Sequence, residues 1–239
     1  MRPVVGTFHH LRRIIVSNVF LLDGGRGDRW LVDTGHWSER ATLLIELRRA
    51  GLLPSDLTGV LLTHRHSDHA GNAAFLQRRY GVRIYAHEAD ADILSGAAPR
   101  ETLRRGEGTR IAGFLARFEN LWPARLVVDG ALKDGDAIAG LEVHWVPGHT
   151  EGSVFYRHDG TASLLSGDTL LAAIPPLTFR RGLGLPYSTF SKDIPQAHAS
   201  LRSFHDKGLR YENLLAGHGP PIVGGADERV RAFLATHGI

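Results

Sequence analysis

The chain has 239 residues, is 43% hydrophobic, and carries a formal net charge of +3, enough length for one sizeable α/β core. It contains no cysteine, which excludes disulfides, thiolate metal ligands and a cysteine nucleophile, so a metal here must be held by His, Asp, Glu or water. No apolar run reaches the roughly 20 residues of a membrane span, Arg12 and Arg13 break any signal-peptide pattern, and the expectation is a cytoplasmic protein with no membrane partner.

Residues 1–33 read as strands, with Ile14–Leu22 a β-rich apolar run, Asp23–Asp28 a hairpin turn and Trp30-Leu31-Val32 the returning strand. The strand ends at Asp33-Thr34-Gly35, an acid before a tight turn, and His36 and Trp37 follow near the expected pocket mouth. Ser38 is placed to N-cap a helix carrying Leu43, Leu44 and Leu47, which Gly51 ends.

The buried strand Gly59–Leu62 then runs into Thr63-His64-Arg65-His66-Ser67-Asp68-His69, and a helix follows to about Tyr80. In an extended segment side chains at i and i+2 point the same way, so His64 and His66 can aim at one ion while Arg65 and Ser67 point away. Asp68 and His69, where the chain turns, can aim at a second point nearby. Three imidazoles and a carboxylate within six residues suit a borderline metal such as zinc.

Val82–Ala86 reads as a strand and His87-Glu88 as the opening of a helix. The segment 95–125 is punctuated by glycine and proline, with a short amphipathic helix between Ile111 and Trp122 presenting Phe114, Leu115, Phe118 and Trp122 on one side. Arg100, Arg104, Arg105 and Arg110, interrupted by Glu101 and Glu107, read as a solvated helical face, so no nucleic-acid partner is expected. From Leu126 to Val146 the pattern is β again, ending in Pro147-Gly148-His149-Thr150; Ser163–Ser166 leads to Gly167-Asp168. A long Pro- and Gly-punctuated loop follows within 170–190, with Arg180, Arg181, Tyr187, Ser188 and Phe190 as candidate substrate contacts. A helix over Asp193–Lys207, a strand over Tyr211–Ala216, Gly217-His218-Gly219, and a helix near Asp227–Thr236 complete the chain. Ligand-type residues thus emerge from four separate segments, each at the end of an apolar run, which is how a rigid sheet holds a site built from turns.

His64, His66, Asp68 and His69 match the H-x-H-x-D-H signature, and with Pro147–Thr150, Ser166–Thr169 and Gly217–Gly219 following in the same order, the chain resembles the metallo-β-lactamase-fold superfamily over nearly its whole length. The resemblance implies one α/β domain over 1–239, an αββα sandwich of two mixed sheets flanked by helices. The stretch 95–125 becomes an insertion that caps the site or makes a homodimer contact, and 170–190 an active-site loop. It implies a first metal site of His64, His66 and His149, a second of Asp68, His69 and His218, and Asp168 bridging them. Asp33 becomes an outer support for the site, with a turn or cap role as the competing reading, and His87 a structural or supporting residue. Two divalent ions are implied, zinc first, with iron and manganese as alternatives.

Two such ions bring four positive charges, and Asp68, Asp168 and a bridging hydroxide remove three, which leaves a cationic site for an electron-rich oxygen. The chemistry this implies is attack by such a hydroxide on a small acyl substrate, a thioester, lactone or other ester, with Asp68 expected to steer its proton. Pro147–Thr150 and Ser166–Thr169 look like the glyoxalase II branch; lactonases of similar length put Tyr187 forward as a substrate-orienting residue, with Arg180 and His36 as further contacts. The alternatives are a mononuclear iron persulfide dioxygenase and a phosphodiesterase or nuclease.

Overall fold

In the computed structural model, which describes residues 2–103, 110–174 and 181–239, alternation along the strands sets the architecture. One seven-stranded sheet runs in chain order: β1 (Arg2–Val5), β2 (Phe8–His10), β3 (Phe20–Gly25), β4 (Asp28–Val32), β5 (Gly59–Leu61), β6 (Arg83–His87) and β7 (Gly130–Leu132). β1 to β4 pair antiparallel; β4 to β7 pair parallel. Parallel neighbours need crossovers, and α1 (Arg40–Arg49), α2 (Ser67–Ala70), α3 (Ala73–Tyr80), α4 (Glu88–Ser95) and α5 (Arg110–Leu121) lie in them.

The second sheet contains β8 (Ala137–Ile138), β9 (Leu141–Trp145), β10 (Val154–His158) and β11 (Ser163–Gly167). After the small pair β12 (Leu171–Ala173) and β13 (Arg181–Gly184) come β14 (Asn213–Ala216) and β15 (Ile222–Val223), which give the order β15-β14-β11-β10-β9-β8. α6 (Ile194–Asp206) and α7 (Ala226–Thr236) cover its outer face.

Side chains two apart share a face, and three apolar layers follow. Phe20, Leu22, Trp30 and Val32 meet Val143, Val154, Tyr156 and Leu215 between the sheets. Leu21 and Leu31, one residue out of phase, meet Leu43, Leu47 and Leu76 of α1 and α3 on the outer side. Phe155, Leu164 and Leu214 meet Leu201, Phe204, Val230 and Leu234 of α6 and α7. The result is the expected αββα sandwich. Helix α6 has Asp193 as its N-cap, accepting from the Gln196 N–H at 2.8 Å, and buries Ala197, Leu201 and Phe204 as their spacing predicts.

Four expectations are corrected. Ile14–Val19 is irregular rather than strand: its polar groups are spent on tertiary partners, Ile15 N–H donating to Glu39 and Asn18 Nδ2 to the carbonyls of Ala216 and Gly219. Ser38 is not an N-cap; it lies inside a short turn at Trp37–Glu39 that His36 caps, and α1 starts two residues later. The 170–190 loop is partly a hairpin, with Leu171 opposite Gly184 and Ala173 opposite Arg181. Gly182, which reads as a loop residue, is needed there because a Cβ would stand 2.7 Å from Ile174 Cδ1 and because its φ is +149°. Arg100 is not on a solvated helical face: it lies outside any helix and ion-pairs with the buried Glu119 of α5. Arg104 and Arg105 lie outside the described residues.

One buried polar knot ties the two halves together. Asp90 of α4 accepts hydrogen bonds from Arg65 N, Thr150 Oγ1 and Gly152 N at 2.8–2.9 Å, and the Arg65 guanidinium lies 3.5 Å away. Burial pushes the Asp90 carboxyl up, against the pull of Arg65. Arg65 also donates to Glu151 at 2.6 Å. The knot thus clamps the chain at Arg65, between His64 and His66, and at Thr150–Gly152, directly after His149. Asp90→Ala leaves Arg65 N, Thr150 Oγ1 and Gly152 N without their buried acceptor and removes one of the two anions at Arg65, and we expect a loss of about 3–5 kcal/mol, read as a fall in the denaturation midpoint of the metal-free protein.

Candidate metal centre

Each residue type arrives at the end of a strand. His64 and His66 follow β5, Asp68 and His69 open α2, His149 follows β9, Asp168 follows β11 and His218 follows β14. The sheets deliver them to one place as two groups, His64–His66–His149 and Asp68–His69–Asp168–His218, in each of which the ligand-type atoms lie within 4.8 Å of one another. Within the first group ring centroids are 4.7–4.8 Å apart; His64 and His69 join the groups at 4.2 Å. Asp168 stands between them. Its Oδ1 is 3.3 Å from His69 Nε2, and its Oδ2 is 3.1 Å from His218 Nε2 and 3.9 Å from His149 Nε2. All seven residues named from the sequence are therefore brought together.

The far sides of the rings are held. Asp33 adopts φ +62°, in the left-handed region, and accepts from Thr63 N and Thr63 Oγ1 at 2.8 Å. Its Oδ2 also lies 2.8 Å from His69 Nδ1. That geometry settles its two readings: Asp33 supports the site and caps no helix. Thr63 Oγ1 is 3.0 Å from His64 Nδ1, and Ser191 Oγ is 3.0 Å from His149 Nδ1. With Nδ1 engaged, these rings turn Nε2 inward, the arrangement that fixes ligand tautomers in metal sites.

Whether a cation fits can be read from the orphaned atoms. Nε2 of His64, His66, His69 and His149 and Oδ1 of Asp168 are buried with no hydrogen-bond partner. Buried polar atoms are rarely left so, and five of them, three in the first group and two in the second, match a set of His and Asp donors for borderline or hard divalent ions.

The electrostatics divide the groups. Burial, then the neighbouring imidazoles, holds His64 and His66 well below the ordinary histidine value, and burial lowers His149 to about 4 although Asp168 pulls the other way. Burial also disfavours the charged forms of His69 and His218, but Asp168 and Asp68 outweigh it, raising His69 well above its usual value and His218 to about 9. Asp168, which burial would raise, is held well below the usual carboxylate range by His218 and His69.

Other residues fall differently. Tyr187 reaches the centre through its backbone, its carbonyl accepting from Ser191 Oγ at 2.9 Å. His36 Nδ1 is 2.7 Å from Ser38 Oγ, and it is the neighbouring Trp37 that lines a cavity beside Ser67. Arg180 lies outside the described residues. His87 caps α4 and stacks on Trp145 at 5.2 Å, a structural role.

Several supports were not foreseen. Glu119 of α5 accepts from Ser67 N at 2.9 Å and from Ser67 Oγ, between the ligand-type residues His66 and Asp68. Ser17 Oγ donates to the Asp68 carbonyl, and Asn18 N to the Gly217 carbonyl at 2.7 Å. Ser17-Asn18, a polar pair inside the apolar run Ile14–Leu22, is the signal that could have found the last two; Glu119 carries none. Gly217 has a steric reason: a Cβ would stand 2.2 Å from Asp168 Oδ1 and 2.7 Å from His69 Cε1. We expect Gly217→Ala to lose metal measured by elemental analysis while keeping the circular dichroism of the parent, although it removes no ligand.

A family model described as the metallo-beta-lactamase superfamily matches residues 12–218. The chain belongs to the metallo-beta-lactamase superfamily. Among its superfamily relatives it is 32% identical, over 183 residues, to a "Probable metallo-hydrolase YybB" of Bacillus subtilis (strain 168), covering 76% of this chain and 71% of the relative. It is 27% identical over 208 residues to "Hydroxyacylglutathione hydrolase GloC" of Haemophilus influenzae, covering 85% and 86%. Among solved structures, TTHA1623 in a di-iron-bound form is similar with a TM-score of 0.64 and 27% identity, covering 96% of this chain and 98% of that one. Among the described residues no helix is long and apolar enough to cross a membrane.

Proposed function

We propose that the protein is a dinuclear metal-dependent hydrolase of small acyl substrates: a thioester, a lactone or another ester. The observation that carries this reading is Asp168, one carboxylate facing both ligand groups. His64, His66 and His149 would hold one ion, Asp68, His69 and His218 the other, with Asp168 shared. When bound, divalent ions supply Lewis acidity, which acidifies water to a pKa of about 7 and polarises a carbonyl. The relatives named as metallo-hydrolases and as a hydroxyacylglutathione hydrolase support the acyl class.

The chain's own residues have separable tasks. Asp33, Thr63 and Ser191 hold the ring tautomers so that Nε2 stays inward. Asp68 has the most open carboxylate of the set, 27% exposed, and its Oδ2 lies 3.3 Å from His218 Nε2. It is the group placed to take a proton from incoming water at Oδ2 and to pass it outward.

Elemental analysis with a substrate panel tests the reading. We expect about two divalent ions per chain, zinc or iron, and turnover of thioesters or lactones but not of phosphodiesters. One iron per chain with oxygen uptake on glutathione persulfide overturns it in favour of an oxidoreductase.

A further inference from the structure

Ser17 and Asn18 are neighbouring polar residues, both buried, in the irregular run ahead of β3. They reach across to the two loops that carry Asp68 and His218. Ser17 Oγ donates to the Asp68 carbonyl. Asn18 N donates to the Gly217 carbonyl at 2.7 Å, and Asn18 Nδ2 to the carbonyls of Ala216 at 2.8 Å and Gly219 at 2.6 Å. Asn18 Oδ1 lies 3.0 Å from His10 Nε2, which turns the amide so that both of its N–H bonds face those carbonyls. The carbonyls on either side of His218 therefore end on one residue. The other ligands are held by other means. The Asp90 knot grips the chain at Arg65 and at Thr150–Gly152, and Ser191 Oγ lies against His149. His69 has Asp33 at its Nδ1, and Thr34 N and Oγ1 donate to its carbonyl at 2.7 Å.

We propose that Asn18, assisted by Ser17, is a positioning residue for the second ion alone, and that this pair decides whether the centre holds two ions or one. Asn18 acts on the backbone from which His218 projects, and Ser17 acts on that of Asp68. A binding constellation tolerates displacements of only about 0.5 Å. Without Asn18 three carbonyls lose their donors, and the His218 loop must settle on other partners. His64, His66 and His149 keep their supports. The inference rests on the two-ion part of the proposed function, not on the substrate or the reaction.

Zinc affinity at fixed pH, read by competition with a chromophoric chelator, tests it without any substrate. His149→Ala leaves only the second group intact, and His218→Ala only the first. Added to His149→Ala, the substitution Asn18→Ala should weaken zinc binding at least about tenfold, the scale of losing a support behind a ligand. Added to His218→Ala, it should leave the affinity unchanged. Ser17→Ala removes one hydroxyl and should act in the same direction by a smaller factor. It is the variant to measure where circular dichroism shows Asn18→Ala unfolded. Asn18→Asp keeps the side chain's size, removes the amide donors and adds a negative charge. It too should weaken zinc in the His149→Ala background, whereas a residue acting through charge alone would tighten it. Equal weakening in both backgrounds, no weakening in the His149→Ala background, or tighter zinc in Asn18→Asp overturns the proposal. The expected pattern in a parent that turns over no thioester, lactone or other ester leaves it standing and overturns the hydrolase reading. A His149→Ala protein that binds no zinc overturns the positioning role and the two-ion centre together.

Discussion

Asp168→Ala should lose about half of the bound metal and reduce kcat/KM by about 10³-fold or more, the scale on which a single preorganised charge at a reacting centre acts. The geometry explains why this residue outranks the six others. Each imidazole serves one group, whereas Asp168 lies 3.1–3.9 Å from the Nε2 atoms of His69, His149 and His218. Its loss removes the one anion common to both, so two ions would face each other across a gap with less negative charge between them. His158→Ala is the matched control. That ring sits at the far end of β10, roughly 13 Å along the strand from Val154, whose N–H donates to the Thr63 carbonyl next to His64. It accepts from Thr161 N at 3.1 Å, caps a three-residue turn and touches the edge of Phe8. The cost should be about 1 kcal/mol of stability, with metal content unchanged. Inductively coupled plasma analysis of both variants, alongside steady-state kinetics, decides the matter: equal loss in the two would mean that the ligand assignment is wrong.

The seven candidate ligands were legible because their signal is local. Alternate positions in an extended segment point one way, and an apolar run followed by His or Asp marks a strand end; neither depends on knowing the partner strand. The sandwich was an implication of the family resemblance, and the alternation along Phe20–Leu22 and Trp30–Val32 divides between the inner and outer layers as that fold requires. What was not legible depends on contacts between distant segments. Asp90 looks like any helix-surface acid, and only the approach of Thr150 and Gly152, sixty residues later, makes it the clamp of the ligand loops. Glu119 is one carboxylate of a short amphipathic helix, with nothing to mark its partner until α5 lays it on Ser67. The Asp33 alternatives could not be separated by spacing, because an acid before Thr-Gly serves a turn and a supporting role equally well; the 2.8 Å contact with His69 Nδ1 separates them. Gly182 and Gly184 read as loop because glycine disfavours strands, yet here one fits under Ile174 and the other pairs with Leu171.

Metal loading should be stepwise in pH, with the two groups responding differently. His149 has a lowered value of about 4, and burial holds His64 and His66 well below the usual range, so in the metal-free protein all three are neutral at pH 7. An ion entering there displaces no proton, and affinity should be nearly flat from pH 8 down to about 5. In the second group His218 is raised to about 9 and His69 is raised as well, so at pH 7 both carry protons that pair with Asp68 and Asp168. Ligand imidazoles must be neutral, so the second ion has to expel up to two protons. The sign follows: its affinity falls as pH falls, steepening toward two decades per pH unit once both imidazoles are protonated, and the share of that dependence due to His218 sets in below about pH 9. Lowering the pH of loaded protein should therefore strip one ion per chain well before the other, and the retained ion should be the one held by His64, His66 and His149. Isothermal titration calorimetry in two buffers of different ionisation enthalpy counts the protons directly. A second binding event with no proton release at pH 7 would show that His69 and His218 are already neutral, and the charge pairing drawn here between them and the two aspartates would be wrong. His218→Ala provides the internal check. It removes the residue with the value near 9, so proton release at the second step should drop by about one while the first step keeps its affinity.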